Sequence, residues 1–501
     1  LLRFNVLDFY TPSPVQSVAY SEPEPPAPVE VPSAINTNFE SVKLDLRDHL
    51  EKKNYPELNK ILADFQEASQ QDIYQEKQLF TAYDAFEIED PDYEPLFNSW
   101  VETYSDHYQP YLARANYFYT MAWHARGGKW ASETKQEQFD RMKTYFEKAA
   151  TDIKTTLEIN SQSLVAYKLL IGILGSQQGA DRLMRGVLDQ AVSFQPATYN
   201  VRLNYLHFLS PRWGGSFEQM QSFVNESLQY VDQNPKLNLL EGRIYAEAAF
   251  SQYLNDKYSV AEELYTKAIS YGDRPYNYLS RGKTRYKREN YQGALEDLNR
   301  AIDLDSEDAE HYYWRSKIYS KLEKYDDAAS DIAIAGLLAP WDEKIQSRKD
   351  WLVSKLIRLG YELNRARKHE AAIEKFNAAL SLDPTHADAY NRKAGALIKL
   401  NELDEALPHA KLAVEYDPDN FAFYQKLDWI LAQRKDWDQV ISYWSQYIDL
   451  HPDDGAAYVE RGGAFYHKGD LRSAVADAKI AADLGNPQGK EAYNRFKHLV
   501  D

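Results

Sequence analysis

Apolar side chains recur at intervals of three and four positions from residue 38 to the end of the chain. This is the spacing of one face of an α-helix. No run of alternating apolar and polar residues interrupts it, and the breaks are short Asn-Pro, Asp-Pro, Gly-Asp and Gly-Asn steps. The pattern predicts an all-α fold.

A longer period lies on top of the helical one. Prolines follow each other every 34 residues, at Pro384, Pro418 and Pro452. Position 1 of each unit is set 31 residues before its proline. Small residues then occupy positions 8, 20 and 27, and a tyrosine occupies position 4. The glycines are Gly282, Gly360 and Gly462, and the alanines include Ala294, Ala328, Ala372, Ala301, Ala335 and Ala379. Small side chains at fixed places predict pairs of closely packed helices.

This period and its small positions resemble the tetratricopeptide repeat (TPR) family. The resemblance implies a right-handed TPR superhelix, an α-solenoid, with a helical domain before it. In such proteins the first helix of each pair lines a concave face that holds peptides or helices of other proteins.

Four segments follow from these patterns. Residues 1–37 are predicted to be an extended Pro/Glu-rich segment or tether, and residues 38–240 a helical domain with degenerate TPR-like pairs. Residues 241–488 are predicted to form about seven repeats, and residues 489–501 a capping helix. About ten extra residues near 341–351 lengthen one unit. In the unit that begins at Phe421, Asp428, Val440 and Tyr447 replace the small residues, which predicts a wider helix pair.

Two motifs stand out in the segment before the repeats. Ala-Trp-His-Ala-Arg-Gly covers residues 122–127 and Arg-Trp-Gly-Gly-Ser covers residues 212–216. Together they resemble an uncharacterised bacterial domain of unknown function that precedes TPRs, which implies a bacterial origin and brings no activity. Trp123 and Arg126 share a helix face, and Arg212 and Trp213 precede a predicted turn. These four residues either stabilise the fold or present arginines to an anionic ligand.

Composition narrows the functional classes. The 501 residues carry a formal net charge of −18, which disfavours binding to nucleic acid or to anionic membranes. The chain has no cysteine, which excludes disulfides and thiolate metal sites and favours an oxidising compartment. The apolar opening from Leu1 to Leu7 and the spacer after it suggest a membrane anchor upstream of Leu1. We therefore expect a periplasmic, membrane-tethered protein, with a cytoplasmic one as the alternative.

No catalytic motif appears in the sequence. His369-Glu370 begins like a zinc-protease motif, but Ile373 occupies the position of the second histidine. The sequence therefore predicts no enzyme activity and no catalytic, cofactor-binding or metal-binding residues.

Basic residues recur at positions 9 and 13 of the repeats, which point into the concave face in TPR proteins. The predicted partner-binding residues are Lys283, Lys287, Lys317, Lys321, Tyr361, Arg365 and Lys399. They favour an acidic or extended protein segment as partner, although a lysine at position 13 also suits the end of a helix. Asn391 and Arg392 match part of the carboxylate clamp of chaperone-binding TPRs, but Ile357 and Gln425 do not, so no clamp is predicted.

The sequence thus predicts a non-catalytic scaffold or adaptor in a bacterial, membrane-associated assembly. Two alternatives are a small-ligand receptor or enzyme with a pocket in the N-terminal domain, and a constitutive structural subunit of a large complex. The identity of the partner and the oligomeric state stay open.

Overall fold

A computed structural model of the protein describes residues 39–128, 131–340 and 342–499. Side chains are described from residue 42 onwards. Across these residues there are α-helices and short 3-10 helices and no β-strand. The predicted all-α fold is confirmed. The predicted tether, residues 1–37, lies outside the described residues. No helix within the described ranges is long and apolar enough to cross a membrane.

The helices follow one another with short connections. In the first half they are α1 (Phe39–Glu51), α2 (Tyr55–Gln71), α3 (Glu76–Asp84), α4 (Glu94–Thr103), α5 (Tyr108–Arg126), α6 (Gln136–Ile159), α7 (Leu164–Gly175), α8 (Asp181–Phe194), α9 (Tyr199–Phe208), α10 (Phe217–Leu228), α11 (Leu239–Leu254), α12 (Tyr258–Ser270), α13 (Pro275–Lys287) and α14 (Tyr291–Leu304). In the second half they are α15 (Ala309–Lys321), α16 (Tyr325–Leu338), α17 (Glu343–Arg365), α18 (His369–Leu382), α19 (Ala387–Lys399), α20 (Leu403–Tyr416), α21 (Phe421–Gln433), α22 (Trp437–Leu450), α23 (Gly455–Lys468), α24 (Leu471–Asp483) and α25 (Pro487–Phe496).

The chain divides into two compact units, one up to Glu307 and one from Asp308. The first unit contains α1–α14 and has an aromatic core in its early part. There Phe97 stacks on Tyr117 with ring centroids 4.9 Å apart, and Phe86 meets Trp100 at 5.8 Å. The second unit contains α15–α25. From α11 to α24, consecutive helices pack as pairs within each unit.

The predicted glycines lie where paired helices touch. A Cβ atom on Gly282 would lie 2.3 Å from Leu298, and one on Gly360 would lie 2.6 Å from the ring of Phe376. Both distances are far below van der Waals contact, so a larger residue at either position would displace the facing side chain. The alanines at positions 20 and 27 of these pairs are buried, among them Ala294, Ala328, Ala372, Ala301, Ala335 and Ala379.

Ion pairs at a fixed spacing link the two helices of three repeats. An arginine on the first helix donates to an aspartate sixteen residues later on the second helix: Arg281 to Asp297, Arg315 to Asp331 and Arg461 to Asp477. The nitrogen–oxygen distances are 2.7, 2.7 and 2.8 Å, and each aspartate side chain is at most 5% exposed. Because a buried carboxylate is unstable without a partner, each pair fixes the register of its two helices.

The turns inside the pairs share one backbone conformation. Glu289, Glu323, Arg367, Asn401 and Lys435 all have φ between 59° and 64°, and Gly469 has φ 92°. The residue after each of them donates its N–H to a carbonyl five residues earlier, as Lys324 does to Tyr319 at 2.9 Å. This is the hydrogen bond of a Schellman helix end, which requires a left-handed residue just before the donor. Glycine fills that position at Gly469 alone among these six turns.

The extra residues of the long unit extend a helix. α17 has 23 residues, whereas α15 and α19 have 13 each. Asp342 caps its start by accepting from the backbone N–H groups of Lys344 and Ile345. The insertion therefore lengthens the first helix of a pair, and Gly360 keeps its crossing position.

The pair α21/α22 uses large side chains where the other pairs use small ones. Val440 and Tyr447 are buried, and the ring of Trp444 is 1% exposed. The indole Nε1–H of Trp444 donates to Oδ2 of Asp428, 2.9 Å away and again sixteen residues apart. Burial raises the pKa of Asp428 to about 6, although the Trp444 bond opposes this. The predicted widening of the pair remains a prediction.

We expect Asp428→Asn to stabilise the second unit above neutral pH. Because the pKa of Asp428 is raised in the folded state, the wild-type protein loses stability as the pH rises from about 4 to about 6. An amide keeps the acceptor for Trp444 and carries no charge. The variant should gain ~1–2 kcal/mol at pH 8, since Asp428 is partly solvated, and nothing near pH 4.

Urea denaturation at pH 4 and pH 8 checks this difference. The matched control is Asp453→Asn, which alters an exposed aspartate in the turn before α23. Equal effects of the two variants at both pH values would contradict the expectation.

Candidate functional site

The first motif of the N-terminal unit ends α5. The ring of Trp123 contacts Phe146 at 5.8 Å and Tyr119 at 6.3 Å between centroids. Arg126 is the last residue of the helix, where its Nη1 donates to the carbonyl of Gly127 at 3.0 Å and its guanidinium lies 6.0 Å from the Trp123 ring. Burial lowers the pKa of Arg126. No acidic side chain in the described part of the chain pairs with it.

The second motif forms a 3-10 turn, Pro211–Trp213, between α9 and α10. Gly214 ends it with φ 89°, and a Cβ atom on Gly215 would lie 2.0 Å from the carbonyl oxygen of Leu209. Ser216 then caps α10 by accepting from the N–H of Gln219. Glycine is thus favoured at position 214 by its positive φ. Gly215 is required for close approach instead.

The structure brings the two motifs together through their tryptophans. The rings of Trp123 and Trp213 meet edge to face with centroids 6.1 Å apart. The indole Nε1–H of Trp213 donates to Nε2 of His207 at 3.0 Å. Arg212 lies beside it, with Nη2 2.7 Å from Oε2 of Glu247 and its guanidinium 5.0 Å from the ring of Phe250. The role of the four motif residues in ligand binding stays a prediction.

Several charged residues near Arg212 carry no motif in the sequence. On α11, Arg243 and Glu247 are one turn apart, and their side chains are 9% and 4% exposed. Nη2 of Arg243 lies 3.2 Å from Oε2 of Glu247 and 2.7 Å from Nδ1 of His207. Burial, with help from Arg243 and Arg212, lowers the pKa of His207 well below its ordinary value, so this imidazole is neutral at pH 7. The one available signal was a charged pair four residues apart in a mostly apolar helix.

The predicted partner-binding residues lie on the first helices of their pairs. Four of them end a helix: Lys287 ends α13, Lys321 ends α15, Arg365 ends α17 and Lys399 ends α19. All four are exposed. Lys317 is partly buried, and its ammonium lies 4.0 Å from the ring of Trp314. Lys283 and Lys287 belong to the first unit and the other five residues to the second. Their role in partner binding stays a prediction.

Tyr361 is the centre of a cationic group in the second unit. Its ring is 43% exposed, and the guanidinium groups of Arg392 and Arg365 lie 5.0 and 5.8 Å from it. Lys426 donates to the backbone carbonyl of Asn391 at 2.7 Å, and burial lowers the pKa of Lys426 to about 8. The side-chain oxygen of Asn391 is buried and has no hydrogen-bond partner in the described structure. We call Tyr361, Arg365, Asn391, Arg392 and Lys426 the Tyr361 cluster.

The Tyr361 cluster has more cations than anions. Arg392 is bound to Asp388, with Nε 2.6 Å from Oδ2, and this is the carboxylate that faces it. A Cβ atom on Gly395 would lie 3.2 Å from the ammonium of Lys426, so glycine leaves room for that side chain. The cluster therefore exposes one aromatic surface and guanidinium donors, groups that bind cations and carboxylates respectively.

Metal-binding groups and cavities are the remaining features that bear on ligand binding. No group of three His, Cys, Asp or Glu side chains in the described residues could hold a metal ion. An apolar cavity of about 200 Å³ lies among α23, α24 and α25, lined in part by Tyr458, Gly462, Tyr466, Ala474 and Phe496.

Comparison with protein families identifies the class. A TPR repeat profile matches residues 282–323, and tetratricopeptide repeat profiles match residues 363–428 and 430–488. The domain of unknown function DUF4034 matches residues 42–178 and 184–243. The chain therefore carries TPRs preceded by an N-terminal DUF4034 domain, and the resemblance seen in the sequence is confirmed.

Relatives are similar over part of the chain. The Hsp70-Hsp90 organizing protein of Triticum aestivum is 24% identical over 217 residues, 43% of this chain and 36% of that protein. The mitochondrial import receptor subunit TOM70 of Homo sapiens is 22% identical over 216 residues, 43% of this chain and 35% of that protein. The chain thus spans about a third of the length of these relatives.

Solved TPR structures are also similar. The TPR domain of P58(IPK) is 15% identical and covers 71% of this chain and 93% of its own, with a TM-score of 0.26. The second TPR domain of human RPAP3, in complex with an HSP70 peptide, is 22% identical and covers 22% and 97%, with a TM-score of 0.21.

Proposed function

We propose that this protein is a non-catalytic adaptor that binds protein partners through the first helices of its TPR pairs. The TPR matches support this function, as do relatives named as an organizing protein and an import receptor subunit. The observation that carries the proposal is the Tyr361 cluster, where two guanidinium groups lie 5.0 and 5.8 Å from an exposed ring.

The chemistry of the Tyr361 cluster favours an acidic, extended segment as partner. Arg365 is exposed at the end of α17, and Arg392 reaches the same ring from α19. In a chain with a net charge of −18, a local excess of cations selects acidic segments and orients them. Tyrosine and arginine are also the residues that most often dominate the affinity of protein interfaces.

The location of the adaptor belongs to the same proposal. We place it in a bacterial, membrane-associated assembly on the periplasmic side. The Pro/Glu-rich residues 11–33, the absence of cysteine and the motifs of the N-terminal domain support this assignment. The spacer would connect the folded body to its anchor.

Co-purification tests the adaptor. We expect the tagged full chain to retain a stoichiometric partner from native cells, and Tyr361→Ala combined with Arg365→Glu to weaken that binding at least about tenfold. The matched control is Lys479→Glu, which reverses an exposed charge on α24, the second helix of its pair. Mass spectrometry identifies the partner, and calorimetry with the purified partner measures the affinities.

Three outcomes separate the proposals. A partner lost in the Tyr361/Arg365 variant and retained by Lys479→Glu supports the adaptor and its surface. A partner retained by both variants keeps the adaptor and rejects the Tyr361 cluster. The absence of any partner contradicts the adaptor itself.

A further inference from the structure

A second cationic group lies in the first unit. It consists of His207, Arg212, Arg243, Glu247, Arg274 and Tyr276, which we call the arginine cluster. Its members come from α9, from the turn Pro211–Trp213, from α11 and from the start of α13. Glu247 joins two of them, with Oε2 2.7 Å from Nη2 of Arg212 and 3.2 Å from Nη2 of Arg243.

The charges in the arginine cluster do not balance. Two guanidinium groups, those of Arg212 and Arg243, share the one carboxylate of Glu247, and Arg274 adds a third positive charge nearby. His207 is neutral because burial and the neighbouring arginines lower its pKa. Arg274 is close enough to contribute to this lowering and to the lowered pKa of Arg243. Two uncompensated positive charges at a largely buried site are unfavourable unless an anion joins them.

Hydrogen-bond donors also exceed acceptors. Nε of Arg212 is buried and has no partner in the described structure. Trp213 and Arg243 each direct an N–H at a ring nitrogen of His207, but a neutral imidazole accepts at one nitrogen only. One of the two donors therefore lacks an acceptor there. Arginine N–H groups left over in this way are the donors that bind carboxylate and phosphate oxygens.

The arginine cluster is open on one side. Tyr276 is 37% exposed, the side chain of Arg212 is 22% exposed and Arg274 is partly exposed, whereas Arg243 is deep. Arg274 forms the N-terminal end of α13, so the positive end of that helix adds to the field. No hydrogen bond or ion pair holds the guanidinium of Arg274 in the described part of the chain.

We propose that the arginine cluster is a binding site for an oxyanion, a phosphate or a carboxylate, held by Arg212, Arg243 and Arg274. The anion neutralises the excess charge and supplies the missing acceptors, while Glu247 orients two of the three arginines. This site is independent of the Tyr361 cluster, so either can fail without the other. His207, Arg212 and Arg243 lie within the residues that the DUF4034 model matches, and Glu247 and Arg274 lie beyond them.

Calorimetric titration of the full chain with inorganic phosphate tests the proposal, with succinate as the carboxylate arm and sodium chloride at equal ionic strength as the reference. Arg274→Ala removes a side chain that forms no hydrogen bond or ion pair in the described part of the chain, and should weaken oxyanion binding about tenfold or more. Arg141→Ala, an exposed arginine on α6 of the same unit, is the matched control and should bind like the wild type. Arg212→Gln should weaken binding as well.

The outcomes decide the matter. The site is supported if phosphate or succinate binds saturably, and if Arg274→Ala reduces this binding while Arg141→Ala preserves it. The anion that binds more tightly then shows whether the ligand is a phosphate or a carboxylate. Binding no stronger than that of chloride overturns the proposal. So does binding that survives both Arg274→Ala and Arg212→Gln, because the arginines would then serve the fold alone.

Discussion

Replacing Gly215 by alanine is expected to lower the free energy of unfolding of the N-terminal unit by at least about 3 kcal/mol, the upper part of the range for overpacking. The added Cβ would lie 2.0 Å from the carbonyl oxygen of Leu209 and 2.5 Å from its carbonyl carbon. These are backbone atoms at the end of α9, so no side-chain rotation relieves the contact. The turn that holds Arg212 and Trp213 has to move.

The matched control for Gly215→Ala is Gly128→Ala. Gly128 follows the first motif, and a Cβ atom there would meet nothing within 4 Å. Chemical denaturation of the full chain, followed by tryptophan fluorescence, measures both variants. A Gly215→Ala protein as stable as Gly128→Ala would contradict the close approach of Gly215 to Leu209.

Breaking one interhelical ion pair is expected to cost the second unit about 3 kcal/mol, the lower end of the range for buried pairs because Arg315 is partly exposed. Arg315→Met leaves the carboxylate of Asp331 buried and unpaired. Burial already raises the pKa of Asp331, and Arg315 opposes this, so the pKa rises further in the variant. A raised pKa means that stability is lost as the pH rises, so the penalty should be larger at pH 7 than at pH 4.

A double variant provides the control for this pair. Arg315→Met combined with Asp331→Leu removes both charges and keeps apolar volume between α15 and α16. It should lie within about 1 kcal/mol of the wild type. Urea denaturation of the single and double variants at pH 4 and 7 checks both expectations. A single variant as stable as the double one at pH 7 would contradict the expected cost of leaving Asp331 buried and unpaired.

The repeats were readable from the sequence because they rest on local chemistry. The 34-residue period and the glycines at 282 and 360 express one requirement, that paired helices touch, and the structure shows that contact. The sixteen-residue spacing from Arg315 to Asp331 is equally visible in the sequence, but the ion pair between them was not predicted from it. It spans two helices and a turn, and becomes informative once the pair is known.

The candidate sites were less predictable because they depend on distant segments. The rings of Trp123 and Trp213 are in contact although ninety residues separate them, and no periodicity in the sequence predicts that contact. Arg243, Glu247 and Arg274 were missed because charged residues on a helix or at its start usually face solvent, and only the fold buries Arg243 and Glu247 beside Arg212. The sequence is ambiguous for the basic residues at helix ends. Lys287 and Lys321 interact favourably with the helix dipole whether or not they bind a partner.

The left-handed turns inside the pairs have a consequence for how this protein can evolve. Asp256, between α11 and α12, has the same conformation, with φ 57°. At six of the seven repeat turns from α11 to α24, a residue with a side chain therefore occupies a position that glycine would fill with about 1 kcal/mol less strain. Because each pair contacts mainly its neighbours, such an increment acts locally. A single substitution can therefore stabilise or destabilise one pair without affecting the rest. Natural selection can in this way adjust the order in which the pairs unfold.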